Sequence, residues 1–170
     1  MIFQHTSGLV TSNAKTQTRR LWKAGWVLTT YWSQHIQSRK AVPAVYDDKA
    51  QRVVYYVSQQ LAVQPGRGKP AIARIEVLRL WREDVRDISH AEARREGFTN
   101  TMEFLATWCN MHDKGARFNF GGYWYNQWRG PHRKWEVATQ GDVMDCLHTR
   151  PAERYDALAI EFKLLEGGQS

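Results

Sequence analysis

The sequence predicts an α+β fold in which five or six short, mostly antiparallel strands are interrupted by two helices. Short runs of β-branched and aromatic residues, such as Trp26–Trp32 and Arg52–Val63, have the composition of strands. Two helix start signals follow one another between residues 89 and 103. The alternating segment Asp156–Leu165 then adds a closing strand, and several short antiparallel strands usually form a small barrel or a sandwich.

The N-terminal part of the chain is predicted to contain three strands. Met1–Gln4 is short and apolar, whereas Ser7–Ala14 is small and polar, as in a helical turn or a loop. Ala14–Trp22, AKTQTRRLW, alternates weakly and is rich in threonine, which favours a strand. Trp26–Trp32 follows as the third strand, and the polar composition of residues 33–50 predicts a loop.

The middle of the chain predicts two strands joined by a tight turn. Arg52–Val63 has the composition of one strand, and Ala71–Trp81 alternates as a half-buried antiparallel strand does. Between them, Gln64–Pro70, QPGRGKP, predicts a sharp turn because its glycines permit positive φ and its prolines bracket it. The turn lacks the spacing of a P-loop, so two interpretations remain: a plain turn, or a turn that contacts phosphate or substrate.

Two helices follow. Ser89 and Glu92 form a capping box, and Gly97 stands where a helix commonly ends. Thr99 or Asn100 can cap a second helix, which carries an apolar stripe predicted to belong to the core: Phe104, Leu105, Trp108 and Met111. In the closing strand the residues predicted to point inward are Leu158, Ile160, Phe162 and Leu164.

Residues 113–154 are glycine-rich, aromatic and basic, and they predict an irregular insertion within a single domain that spans residues 1–170. The centre, FNFGGYWYNQWRGPHRKW, includes Trp124. This aromatic and basic stretch could stack on bases or cover a bound nucleoside, or its tryptophans could simply pack against the domain.

Composition limits the class of protein. An apolar fraction of 42% is sufficient for a folded core. The net charge of +7 is uneven, because residues 1–46 hold six basic residues and no acidic one. An anionic partner or a solubilising basic face would each explain this excess. No apolar run approaches the roughly 18 residues of a membrane span, and the N-terminus does not resemble a signal peptide. The presence of only two cysteines favours reduced thiols, as expected for a protein of the cytoplasm.

A short basic motif, AKTQTRR, raises the question of function. Its lysine, threonines and arginines have no acidic residue nearby in the sequence. One interpretation is a surface strip for a polyanion. The other is a catalytic strand in which Lys15 removes the proton of a threonine hydroxyl, which requires burial or nearby cations to lower the lysine pKa.

Several segments together resemble the ASCH domain of the PUA-like superfamily. The similarity covers residues 1–20, about 53–112 and about 155–165. It depends on motifs that occur in the following order along the chain: Lys15–Arg20 (KTQTRR, matching K-T-x-T-x-R), Gln64–Pro70 with Ala73–Ile75, Ile88–Ser89, Ala91–Phe98 (AEARREGF), Glu103–Leu105 and Trp108. The resemblance implies a PUA-like β-barrel with two or more helices at its mouth.

The resemblance also implies two candidate functions. Many ASCH domains are proposed to bind RNA, and a small bacterial relative is an amidohydrolase that removes the acetyl group of N4-acetylcytidine. Carried over by motif, the catalytic residues are Lys15, Thr18 and Glu96. Glu92 is the alternative to Glu96 in this alignment, but the capping box already assigns it a structural role.

The chemistry requires a nucleophile, a base, a proton donor and an oxyanion stabiliser. Thr18 supplies a hydroxyl, Lys15 a base when neutral, and Glu96 a proton for the leaving amine or an activated water. The residues predicted to bind the substrate are Arg20, Gln64, Gly66, Arg67, Lys69 and Trp124. The expected ligand is a nucleoside, with RNA as the alternative partner.

No metal or cofactor is predicted. Cys109 and His112, with Cys146 and His148, have spacings that resemble those of zinc ligands. However, Cys109 and His112 fall on the second predicted helix beside its apolar stripe, which favours packing over metal binding.

Overall fold

The protein is α+β, and its strands pair antiparallel wherever their register is defined. This computed structural model describes residues 1, 3, 6–32, 41–112, 118–119, 124–126, 135–137, 143–144, 147–148 and 155–165. The α-helices are α1 (Ser7–Thr11), α2 (His90–Arg95) and α3 (Thr101–His112). The strands are β1 (Gln17–Leu21), β2 (Trp26–Tyr31), β3 (Val42–Asp47), β4 (Arg52–Tyr56), β5 (Gln60–Val63), β6 (Ala73–Asp84), β7 (Phe118–Asn119), β8 (Trp124–Asn126), β9 (Trp135–Val137) and β10 (Asp156–Leu164).

The chain divides into two compact units. The first unit comprises Met1–Glu83, Arg95–Gly97 and Ala157–Ser170. The second unit comprises Asp84–Arg94 and Phe98–Asp156. Among the described residues, no helix has the length and apolarity needed to cross a membrane.

A four-stranded sheet in the first unit has the order β1-β10-β6-β5. The β1 strand pairs antiparallel with β10, with Gln17 opposite Glu161 and Thr18 opposite Ile160. Both strands are therefore confirmed, and the basic motif lies against the last strand of the chain. Phe3 and Gln64 are also joined, since the Phe3 N–H donates to the Gln64 carbonyl at 2.8 Å. Part of the predicted Met1–Gln4 strand lies outside the described residues, so this strand stays a prediction.

A three-stranded antiparallel sheet of the first unit has the order β2-β3-β4. The prediction of a loop over residues 33–50 is wrong where β3 forms. Ala44 and Val45 of β3 are fully buried, so packing favours the strand despite the polar composition of its surroundings and the proline that it contains. Residues 33–40 of the predicted loop lie outside the described part of the chain. Hydrogen bonds among the described residues leave these sheets separate and do not close them into one barrel.

The predicted strand Arg52–Val63 is in fact two strands, β4 and β5. Ser58 interrupts it with φ of 70°, a left-handed conformation that a continuous strand cannot contain. The Ser58 N–H donates to the Val77 carbonyl at 2.8 Å, so the break is stabilised by β6. The turn at Gln64–Pro70 is confirmed between β5 and β6, and β6 continues three residues beyond the predicted end, to Asp84.

Two hydrophobic clusters form the core of the first unit. One contains Trp26, Val45, Val77, Leu80, Leu158 and Ile160; the other contains Phe3, Val10, Val63, Ile75 and Phe162. Leu158, Ile160 and Phe162 are buried as predicted, whereas Leu164 is only half-buried near the end of β10. Ala157 and Ala159 are also fully buried, so both faces of β10 are covered.

The second unit contains the confirmed helix starts. The Ser89 N–H donates to Glu92 Oε2 at 3.0 Å, and the Glu92 N–H donates to Ser89 Oγ at 3.3 Å, which is the predicted capping box. Asn100 Oδ1 caps α3 by accepting from the Glu103 N–H at 2.8 Å. Caps of this kind satisfy backbone donors that have no partner inside the helix.

The apolar stripe of α3 is confirmed for three of its four residues. Phe104, Leu105 and Trp108 are buried, but Met111 is 61% exposed. At helical spacing the residue that follows Trp108 on the same face is His112, whose ring centroid lies 4.3 Å from that of Trp108. The stripe therefore continues to residue 112, and Met111 points away from it.

The segment 113–154 contains regular structure that its composition did not predict. Strands β7, β8 and β9 form a small antiparallel sheet, in which Trp124 is paired with Val137. The strands are only two or three residues long, and such short segments carry too little alternation to be recognised within a glycine-rich composition. The side chains of this sheet, including Trp124, lie outside the described part.

Candidate active site

Lys15 lies on the short connection between α1 and β1, held by backbone hydrogen bonds on several sides. Its N–H donates to the Leu9 carbonyl at 2.9 Å. The next residue, Thr16, donates to Arg95 and accepts from Phe162, each at 2.9 Å. Lys15 is 4% exposed, so this connection carries a buried lysine at a fixed position.

Glu96 directly follows α2 and binds Lys15 twice. Lys15 Nζ donates to both the carbonyl oxygen and Oε2 of Glu96, each at 2.6 Å. A lysine at this place satisfies a carbonyl that has no partner within the helix. Glu96 is 3% exposed. Glu92 is engaged in the predicted capping box, whereas Glu96 contacts Lys15.

Gly97 permits this close approach. Its φ is +90°, and a Cβ atom at this position would lie 2.7 Å from Leu9 Cδ1 and 3.8 Å from Lys15 Cβ. Both the backbone conformation and the space favour glycine. The glycine predicted as a helix terminator therefore also allows the end of α2 to pack against the segment that carries Lys15.

Arg19 connects Glu96 to a second carboxylate that sequence reasoning missed, Glu83. Arg19 Nη1 donates to Glu96 Oε1 at 3.2 Å, and Arg19 Nε donates to Glu83 Oε1. Glu83 Oε2 also accepts from the Trp81 indole N–H. One signal could have indicated such a partner: the basic motif needs balancing carboxylates if it is buried, and Glu83 lies near the end of β6.

The surroundings of Lys15 lower its pKa below the ordinary value. Burial is the main cause that lowers the pKa of Lys15. The charge of Glu96 and its hydrogen bond act in the opposite direction, and the positive charges of Arg20 and Arg19 lower the pKa further. The net direction is downward because the cost of desolvating an ammonium group exceeds the attraction of the one carboxylate bonded to it.

Thr18 is buried on β1 and forms no hydrogen bond to the described residues Lys15, Arg19 or Glu96. It is 6% exposed and lies opposite Ile160 in the β1–β10 pair. Because successive strand side chains alternate, Thr18 and Arg19 lie on opposite faces of β1. Within the described part of the chain the Thr18 hydroxyl forms no hydrogen bond. The structure thus joins Lys15 to Glu96, and it places Thr18 nearby along the chain only.

Four of the predicted substrate-binding residues share the turn between β5 and β6: Gln64, Gly66, Arg67 and Lys69. The Arg20 guanidinium lies 5.9 Å from the centroid of the Phe3 ring. In the turn, Gln64 Nε2 donates to the Lys69 carbonyl at 3.2 Å, Gly66 accepts from the Lys69 N–H at 3.2 Å, and the Arg67 and Lys69 side chains are exposed. No hydrogen bond or ion pair joins these described turn residues to Lys15 or Glu96.

The described residues contain no group of three His, Cys, Asp or Glu side chains that could hold a metal ion. Cys109 is 2% exposed on α3, and His112 stacks against Trp108 on the same helix. Cys146 and the Trp124 side chain lie outside the described part of the chain, so the predictions made for them remain untested.

Comparison with known proteins gave one distant structural similarity. No protein-family model matches the chain, and no curated protein matches it significantly. The chain is similar to the crystal structure of protein EF3133 from Enterococcus faecalis V583, which is described by the family model DUF984. The identity is 12%, the TM-score is 0.45, and the alignment covers 98% of this chain and 76% of that chain. A similarity this distant does not identify a family or an activity.

Proposed function

We propose that this protein is an ASCH-type, PUA-like amidohydrolase that removes the acyl group from an N-acylated nucleoside such as N4-acetylcytidine. The observation that carries the proposal is the buried contact between Lys15 and Glu96, which lie 81 residues apart in sequence. Both residues correspond to catalytic positions implied by the ASCH resemblance. A buried lysine with a lowered pKa is also the form of lysine that can act as a base.

The hydrogen bonds of Lys15 are compatible with loss of its proton. A neutral amine still has two N–H donors, which is the number required by the two Glu96 oxygens. The two hydrogen bonds to Glu96 then fix the direction of the lone pair on Lys15 Nζ. Deprotonation therefore leaves the lysine held by Glu96, and we propose that substrate binding brings the Thr18 hydroxyl, which has no bond to Lys15 in this structure, within reach of the neutral amine.

The proposed reaction has two halves. In the first, Thr18 Oγ attacks the acyl carbonyl carbon as Lys15 takes the hydroxyl proton; the C–N bond then breaks, the N4 amine takes a proton, and the acyl group remains as an ester of Thr18. In the second half, water attacks the ester, releases the carboxylic acid and restores the Thr18 hydroxyl. Glu96 is proposed to return the proton to the amine or to hold the water, with Arg20 or backbone N–H groups stabilising the oxyanion.

The test is hydrolysis of a panel of N4-acylcytidines by the purified protein, followed by ultraviolet absorbance. We expect turnover of at least one member of the panel. Removal of the base, the nucleophile or the carboxylate should each reduce the rate by about a hundred-fold or more, in Lys15→Ala, Thr18→Val and Glu96→Gln. Wild-type rates in all three variants would exclude the mechanism.

A specific observation also favours a second function, binding of single-stranded RNA without chemistry. Two arginines lie over tryptophan rings: Arg82 is 4.8 Å from the centroid of Trp22, and Arg79 is 4.9 Å from that of Trp81. Trp32 is 69% exposed. Such cation and ring pairs suit stacked bases and phosphates. RNA affinity that falls steeply with salt, in a protein that turns over no nucleoside, would support this function instead.

A further inference from the structure

Arg19 and Glu83 form a partly buried ion pair that the proposed reaction does not use. The Arg19 side chain has no solvent exposure, and that of Glu83 is 18% exposed. Removing a guanidinium from water is costly unless its donors are satisfied by acceptors of opposite charge. Two nitrogens of Arg19 meet this condition: Nε contacts Glu83 and Nη1 contacts Glu96, so the position of the guanidinium depends on both carboxylates.

The contact extends across an intervening strand. Arg19 is on β1 and Glu83 is on β6, and β10 lies between these strands in the sheet. Two strand spacings amount to about 10 Å, a distance that a long side chain can cover. The β10 residue directly opposite Arg19 is Ala159, which is fully buried and small. A small residue at this position leaves room for the guanidinium to reach the end of β6.

The oxygens of Glu96 are divided between two cations. Oε1 accepts from Arg19 at 3.2 Å, and Oε2 accepts from Lys15 at 2.6 Å. The plane of the carboxylate is therefore set by both partners together. Arg19 is in turn oriented by Glu83, and Glu83 by the Trp81 indole N–H. The order of contacts is Trp81, Glu83, Arg19, Glu96 and Lys15.

We propose that Glu83 is a positioning residue: by holding Arg19, it fixes the Glu96 carboxylate against Lys15 and balances the positive charge near that lysine. This inference rests on the proposed function, in which Glu96 and Lys15 take part in catalysis. Glu83 itself touches neither the lysine nor any reacting atom in this assignment. Its effect is exerted through Arg19.

The direction in which the pKa of Lys15 changes in a Glu83 variant distinguishes a positioning role for Glu83 from a purely structural one. The described charged groups that act on Lys15 are Glu96, Arg20 and Arg19. Replacing Glu83 with glutamine removes the charge that balances Arg19 but keeps an oxygen for its N–H. The pKa of Lys15 should then fall below its wild-type value. General loosening of the site would instead admit water and raise the pKa towards its ordinary value.

The experiment compares Glu83→Gln with Glu76→Gln. Glu76 lies on the same strand and pairs with Lys163 at 3.0 Å, away from the cluster, so it is a matched control. The pKa of Lys15 is measured by NMR titration of ¹³C-lysine-labelled protein, with its signal identified by its loss in Lys15→Arg. The kcat and KM for the hydrolysed N4-acylcytidine are measured on the same samples.

We expect Glu83→Gln to lower the pKa of Lys15 and to reduce kcat by about ten- to a hundred-fold with little change in KM, while Glu76→Gln alters neither quantity. An unchanged or raised Lys15 pKa in Glu83→Gln, or an equal effect of Glu76→Gln, would overturn the proposal. If the wild-type protein hydrolyses no N4-acylcytidine, the proposed function fails, whereas the NMR titration still decides whether Glu83 acts on Lys15.

Discussion

At the scale of single residues, the notable feature is a buried lysine that shares one carboxylate with an arginine. Lys15 and Arg19 both bind Glu96, and Arg19 also binds Glu83. Buried ions are tolerated when each is paired and hydrogen-bonded, and removing one partner leaves an uncompensated charge. Stability and the proposed chemistry therefore depend on the same contacts.

A double-mutant cycle tests this energetic dependence. Lys15→Met should lower the free energy of unfolding by up to about 3–5 kcal/mol, because Glu96 loses its closest cation. The combined change Lys15→Met with Glu96→Gln should cost less than the sum of the two single changes, since neither ion then remains. The free energies of unfolding of the two single variants and of the double variant are measured by urea denaturation. Additive losses would contradict a direct interaction between the two side chains.

The pH dependence of stability has a defined direction. Burial lowers the pKa of Lys15, so between the folded value and the ordinary value of 10.5 the unfolded chain binds more protons. The free energy of unfolding contributed by this group therefore rises with pH across that window. Lys15→Met should abolish the rise, as measured by denaturation at a series of pH values. The same slope in both proteins would contradict the account.

The pH dependence of activity should respond to Arg20. The positive charge of Arg20 lowers the pKa of Lys15, so Arg20→Gln should raise it. The rise of kcat/KM with pH should therefore move to higher pH in this variant. Arg74→Gln, an exposed arginine on β6, is the matched control and should leave the profile unchanged. A profile in Arg20→Gln that does not move would argue against Lys15 as the base.

At the scale of elements, local signals predicted the helix that precedes Glu96, the ASCH resemblance implied Glu96 itself, and long-range pairing determined the contacts of the site. The capping box and Gly97 bracket α2, and together they locate Glu96 directly after the helix. Such signals depend on neighbours in sequence, so they can be recognised without a structure. The contact between Arg19 and Glu83 depends on β10 lying between β1 and β6, an order that no local pattern specifies.

The difference between local signals and long-range contacts also explains which strand predictions were wrong. The β3 strand was missed because burial of Ala44 and Val45 outweighs its polar surroundings. The break at Ser58 was missed because it depends on a hydrogen bond to β6, 19 residues further along the chain. The starts of α2 and α3 and the start of the β5–β6 turn agree with the prediction because caps and turn residues act locally, whereas β6 begins two residues later than predicted, at Ala73.

Gly97 provides a test at this scale. Gly97→Ala should destabilise the protein by at least about 1–2 kcal/mol, because alanine is strained at φ of +90° and its Cβ would lie 2.7 Å from Leu9 Cδ1. Gly8→Ala is the matched control: nothing lies within 4 Å of its added Cβ, and in α1 it should be neutral or stabilising by up to about 1 kcal/mol. Thermal denaturation compares the two. If Gly97→Ala were as stable as Gly8→Ala, Gly97 would not be required for packing.

At the scale of the whole molecule, the basic excess of the N-terminal region is partly neutralised within the fold. Two of its six basic residues, Lys15 and Arg19, are buried in ion pairs with carboxylates from later in the chain. These two charges are therefore not presented at the surface to a polyanion. This arrangement favours a catalytic interpretation of the motif over a purely electrostatic strip.

The central claim is that a buried lysine, held by Glu96, enables hydrolysis of an N-acylated nucleoside. The most direct measurement is the initial rate of cytidine formation from N4-acetylcytidine, with wild-type protein and Lys15→Met compared at equal concentrations of folded protein. We predict turnover by the wild type and a loss of about a hundred-fold or more in the variant. Equal rates in the two proteins, or no cytidine formed by the wild type, would contradict it.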